Sequence, residues 1–170
     1  FVSSLLYQRT SGDVVFLTGE AHPSSASGTT SEKVVSNCFL TSAKCDYEGT
    51  LWAAFAYKKM GNDVSGFMPY LLALADDNTK YFPQAFLYMS TPGEGYYSEI
   101  VQSQKDGKYW ESTAGSGKFY DTALAMMALG TTSAAELDNA KSYILGIQGK
   151  DGCFGSMSLR DLAFVLYAGW

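Results

Sequence analysis

The sequence predicts an all-α fold, an array of about four diverged helix-pair repeats interrupted by one insertion. Three observations carry that expectation. A helix-stop pattern of Gln, then Asp-Gly, then an aromatic recurs along the 170 residues. After each stop comes a second helix with a shared, Ala-centred apolar signature. The signature alanines, Ala54, Ala85, Ala123 and Ala163, are spaced 31, 38 and 40 residues apart, as stacked helix hairpins require.

Along the chain, helices are expected near residues 1–8, 49–61, 64–75, 80–90, 94–104, 118–130, 134–148 and 158–168. Two copies of the stop read Gln104-Lys105-Asp106-Gly107-Lys108-Tyr109 and Gln148-Gly149-Lys150-Asp151-Gly152-Cys153-Phe154. A third, Gln8 to Val14, ends the first helix. Glycine supplies the left-handed backbone past the last turn, and the aromatic folds back onto the repeat. The second helices contain Trp52-Ala53-Ala54-Phe55, Pro83-Gln84-Ala85-Phe86, Asp121-Thr122-Ala123-Leu124 and Asp161-Leu162-Ala163-Phe164. Apolar nearly all round, they are expected as a buried inner layer, with mixed helices such as 139–145 outside. Pro83 suits the first turn of its helix, and Ser133 with Glu136 forms a capping box. Residues 9–47 form a Gly/Ser/Thr-rich insertion, a loop or short β-hairpin, holding Val14-Val15-Phe16-Leu17.

Composition narrows the function classes. Hydrophobic residues make up 46% of the chain, enough for a core without staples or metals. Charged residues are only 17%, and the net charge is -5, with no basic run. Nucleic acid is therefore not an expected partner. No apolar run approaches the ~20 residues that span a bilayer, so no transmembrane segment is expected. A surface rich in Ser, Thr, Gly, Asn and Tyr fits an extracellular or cell-surface protein. The chain opens mid-pattern at Phe1-Val2-Ser3 and stops at Gly169-Trp170, and is read as one α/α repeat domain over 1–170 within a longer protein.

Of the three cysteines, Cys38 and Cys45 lie seven apart in the Ser/Thr-rich insertion. A small disulfide loop is the favoured reading, against two unrelated thiols. Cys153 is expected as a buried thiol acting as a small hydrophobe.

Gln148…Asp151-Gly152-Cys153-Phe154 and Gln104…Asp106-Gly107-Lys108-Tyr109 resemble the QW-type repeat of squalene and terpene cyclases. The same repeat builds protein prenyltransferase β-subunits and, more loosely, thioester domains of the α-macroglobulin and complement family. The resemblance covers most of the chain outside 9–47 and implies an α/α-toroid. Four hairpins fall short of the family's closed ring, so an incomplete toroid with an open edge is implied. One fold hosts unrelated chemistries, so function has to be sought residue by residue.

Each family chemistry lacks a residue here. The cyclase Asp-x-Asp-Asp acid finds only Leu74-Ala75-Asp76-Asp77, with leucine in the leading place. The prenyltransferase zinc site needs an Asp and a Cys two apart; Asp161 meets Ala163, and Asp121 meets Ala123. The lone histidine, His22, sits in the insertion, so no metal and no cofactor is implied. No cysteine opens a Cys-Gly-Glu-Gln thioester.

The weak catalytic candidates left are Asp121, Asp161 and Glu48, with Glu94 and Glu99 nearby. Asp121 and Asp161 occupy equivalent repeat positions. They would serve either as a general acid/base pair acting on a glycan or as helix N-terminal acids favoured by the macrodipole. Recurrence with the repeat favours the second reading, since a catalytic group is normally unique. Tyr96, Tyr97, Tyr109, Trp110 and Tyr120, with Phe119, form either a sugar- or peptide-binding platform or repeat core. The leading functional expectation is a non-enzymatic extracellular structural or binding module, self-assembling or bound to a surface protein or glycan. The alternatives are a glycan hydrolase or lyase using Asp121 and Asp161, and an isoprenoid- or lipid-binding toroid.

Overall fold

The first segment, expected as a helix over 1–8, is extended in the computed structural model of the protein. Strands β1 (Val2–Ser3), β2 (Leu6–Gln8), β3 (Val15–Leu17) and β4 (His22–Pro23) form two antiparallel pairs. In β2–β3, Leu6 opposes Leu17, Tyr7 opposes Phe16 and Gln8 opposes Val15. An eight-residue stretch is too short to nucleate a helix without tertiary support. The Val15-Phe16 segment instead offers it a β-favouring partner. The third helix stop goes with that helix, and its residues 9–14 lie outside those described. The structure describes residues 2–8, 15–17, 21–29, 31, 34–92, 94–130, 132, 135–155 and 157–170.

The insertion ends in a hairpin, β5 (Leu40–Thr41) with β6 (Lys44–Cys45). Its turn residues Ser42 and Ala43 have φ of 52° and 65°, the left-handed pair of a type I′ turn. The Cys38 and Cys45 sulfurs lie at disulfide-bonding distance across the foot of this hairpin, with Cα atoms 5.5 Å apart.

The described chain is mostly helical and divides into two units, Phe1–Asp76 and Asp77–Trp170. In the first, α1 (Tyr47–Lys59) is capped by Asp46, whose Oδ1 accepts from the Gly49 N–H at 2.9 Å. Tyr47, Thr50, Leu51 and Ala54 form its buried face, at helical spacing. The helix expected over 64–75 is broken into a 3-10 turn at Ser65–Phe67 and a short α2 (Met68–Ala73). Pro69 explains the restart, because it has no N–H to continue an earlier helix and suits a first turn. A second 3-10 segment, Asp76–Tyr81, kinks at Asn78.

The second unit holds α3 (Pro83–Ser90), α4 (Glu94–Gln102), α5 (Lys118–Leu129), α6 (Ala135–Gly146) and α7 (Leu159–Gly169). Helix α5 is its centre, packing against α3, α6 and, most extensively, α7, while α4 packs on α3. The Ala-signature helices α3, α5 and α7 thus lie side by side. Pro83 occupies the first turn of α3 as expected. Ser133, the expected cap of α6, lies outside the described residues. Ala54, Ala85 and Ala123 are fully buried, but Ala163 is exposed, so the inner-layer expectation fails for one face of α7.

Both described helix stops use glycine as expected, with φ of 63° at Gly107 and 82° at Gly152. Their glutamines differ. Gln148 Nε2 closes its own turn on the Gly152 carbonyl, whereas Gln104 Nε2 reaches the Glu136 carbonyl at the start of α6, both at 2.8 Å.

Two stability measurements follow from this packing. Replacing Cys38 and Cys45 together by Ser, or adding reductant, should cost about 2 kcal/mol, the loop-closure entropy of a seven-residue separation. An unchanged melting temperature under reductant would refute the bond. Ala123 packs with Ile144 of α6 and Val165 of α7, so Ala123→Leu should destabilise by ~1–3 kcal/mol, read from the urea midpoint.

Candidate functional site

The two aspartates aligned by the repeat have different surroundings. Asp161 is the third residue after Ser158, which caps α7; the Asp161 N–H donates to Ser158 Oγ at 3.1 Å. Its Oδ1 pairs with the Arg160 guanidinium at 2.9 Å. Arg160 Nη2 also donates to the Ser116 carbonyl at 3.2 Å, and the guanidinium lies 4.6 Å over the Tyr120 ring. Arg160 therefore fastens the start of α7 to the start of α5.

Asp121 is the fourth residue after Gly117, one step later in its helix than Asp161, and only 1% exposed. Its Oδ2 accepts from the Ser112 N–H at 2.6 Å, while its buried Oδ1 has no hydrogen-bond partner. Burial pushes its carboxyl above the usual carboxylate range, opposed by the Ser112 hydrogen bonds. A Cβ at Gly115 would stand 2.7 Å from the Lys80 carbonyl and 3.2 Å from Asp121 Oδ2, so only glycine fits there. A general acid has to touch its substrate, and Asp121 is closed off behind this loop.

Beside it, Thr122 is fully buried, and its Oγ1 accepts from the Trp110 N–H at 3.0 Å and faces the Trp110 carbonyl at 3.3 Å. Trp110 in turn donates from its indole Nε1 to the Ile100 carbonyl of α4 at 2.7 Å. The first unit repeats the device. Thr50 of α1 is fully buried, accepts from the Phe39 N–H at 3.0 Å and donates to the Asp46 carbonyl at 2.6 Å. Sequence reading passed over these threonines. Their signal was a small β-branched hydroxyl within otherwise apolar helix faces.

The aromatic candidates separate by burial. Tyr96, Trp110 and Tyr120 are core residues, and Tyr120 meets Phe164 of α7 edge-on at 5.3 Å. Tyr97 is half-buried against Tyr88 of α3 at 6.2 Å. Tyr109 is half-buried against Tyr143 of α6 at 5.4 Å, with Lys118 Nζ 5.4 Å from its centroid. They tie helices together and form no continuous open platform. Glu48 is half-buried in the first turn of α1, in the other unit from Asp121 and Asp161. Glu94 opens α4, and Glu99 is half-buried near its end.

Cys153, expected as a buried hydrophobe, is an exposed free thiol. The turn that Gly152 and Asp151 build around it explains this. Asp151 Oδ1 accepts the Cys153 N–H, and the Cys153 carbonyl accepts from Gly149, so its backbone is held while its side chain faces out. Among the described residues no three His, Cys, Asp or Glu side chains converge to hold a metal ion, and no helix is long and apolar enough to cross a membrane.

Among the described residues of the second unit, most of the exposed large apolar side chains lie along α7 and its C-cap. Only Val165 is fully buried, packed with Ala123 and Ile144 and flanked by half-buried Phe164 and Ala168. On another side, Leu159, Ala163, Leu166 and Trp170 recur at intervals of four, three and four, all exposed, with Leu159 at 83% and Trp170 at 63%. Such spacing makes a helical stripe. Comparison of the chain with protein-family models, with curated proteins and with solved structures finds no match.

Asp121 supplies a pH test. Its folded-state carboxyl titrates above the unfolded one, so the folded state favours the protonated form. Stability is then greatest below the unfolded value and is lost as pH rises through the folded one. Asp121→Asn keeps an acceptor for the Ser112 N–H and removes the charge. Urea titrations should show the variant gaining on the parent as pH rises from the acid range to neutrality; parallel pH profiles would contradict the assignment.

Proposed function

We propose that the chain is a non-enzymatic structural and binding module of an extracellular or cell-surface protein, an arc of the α/α-toroid type that assembles laterally through α7. The observation that carries this reading is the second apolar stripe on α7. Its sister helix α5 is packed by α3 on one side and by α7 on the other. Helix α7 has the same signature and the same two apolar sides, but only one is used. The occupant proposed for the other is a helix of the same kind on a second copy of the chain.

Exposed apolar stripes of this length on soluble proteins mark interaction surfaces. The side-by-side order of α3, α5 and α7 supports the repeat-array reading. The Cys38–Cys45 pair and the sparse charge support an oxidising, extracellular setting. The buried position of Asp121 and the ion-paired position of Asp161 weigh against a glycosidase pair.

Sedimentation equilibrium over a concentration series tests the assembly. The parent chain should rise above its monomer mass, and Leu166→Glu should return it to monomer with an unchanged circular dichroism spectrum. A parent that stays monomeric throughout ends the proposal.

A further inference from the structure

A cleft of about 270 Å³ opens in the second unit between the start of α3, the end of α4 and the segment that leads to α5. It is smaller than the ~300–1,000 Å³ pockets that enclose drug-sized ligands, so its occupant is a small one. Gln84 of α3, Glu99 of α4, and Lys105, Glu111, Ser112 and Thr113 supply its polar wall. Phe82 and Trp110 back its floor.

The polar groups select the ligand's chemistry. Two carboxylates accept hydrogen bonds, one ammonium donates them, and an amide and four hydroxyls, those of Thr79 and Ser103 included, do both. Lys105 Nζ already lies 3.7 Å from Glu111 Oε2, which leaves no net positive charge to hold a phosphate. A wholly apolar ligand would leave the hydrogen-bonding capacity of this wall unused. A ring bearing several hydroxyls, each able to donate and to accept, matches the wall.

The site is also rigidly built. Trp110 is held on three sides, by both Thr122 contacts and by its indole bond to Ile100. Ser112 is held by Asp121 from behind. Phe82, at φ 52°, and Ala114, at φ 55°, sit in left-handed backbone that ordinary side chains avoid, one in the floor and one beside Thr113. Such strain persists only where the surroundings over-determine it, and it gathers at ligand sites.

We infer that this cleft binds a single neutral sugar residue. The site does not depend on lateral assembly, and a monomeric chain would bind equally. The test is an amide-shift NMR titration of the full chain with glucose, galactose, mannose and N-acetylglucosamine, and separately with inorganic phosphate. At least one sugar should produce saturable shifts at the Lys105, Ser112 and Thr113 amides. Glu111→Ala and Gln84→Ala should each weaken that binding by roughly tenfold, the loss of one or two hydrogen bonds, while distant resonances stay in place. Three results would overturn the inference: no saturable shift with any of the sugars, the same affinity in both variants, or phosphate alone moving these amides.

Discussion

The second unit depends on one arrangement, the grip of α5 on the chain that precedes it. Thr122 holds the Trp110 backbone, and Asp121 holds the Ser112 N–H. Trp110 carries that grip onward to α4 through its indole. Buried backbone groups outside regular structure need partners, and the 110–112 segment finds them on side chains rather than in a sheet. The cost is a carboxylate kept out of water with one oxygen unpaired. Two helices, α4 and α5, the path of a loop and the floor of a cleft are joined by this grip.

What could be read from the sequence was whatever repeats. The Ala signature located α1, α3 and α5 because a buried small residue beside large apolar ones is a local statement of close helix packing, and it located α7 as well, although Ala163 itself is exposed. The Asp-Gly stops were legible for a similar reason, since left-handed backbone selects glycine. The segment over 1–8 was misread because its fate is decided by residues 15–17, beyond any helical window. The break in 64–75 lies at Pro69, which ends one helical pattern and opens another within a run that is otherwise apolar. The candidate site was less legible still. Cleft residues come from three separated segments, and neither Gln84 nor Ser112 has a local pattern that announces it.

The two aspartates show how a repeat can align residues without aligning their roles. One step of helical register separates them. That step turns Asp121 inward against Ser112 and leaves Asp161 beside Arg160. Likewise α5 and α7 share a signature, yet one is covered all round and the other on one side. Sequence symmetry here records common packing chemistry, and neighbours decide what each copy becomes.

The paired threonines have a consequence for how this protein tolerates change. Thr50 and Thr122 recognise main-chain atoms of Phe39 and Trp110, not their side chains. An anchor of that kind is indifferent to most of what the anchored loop displays. The 111–114 stretch is therefore free to vary its surface chemistry while its course stays put, provided Gly115 keeps its gap. The molecule thereby separates where a loop runs from what it presents, and one scaffold can carry loops of differing surface chemistry.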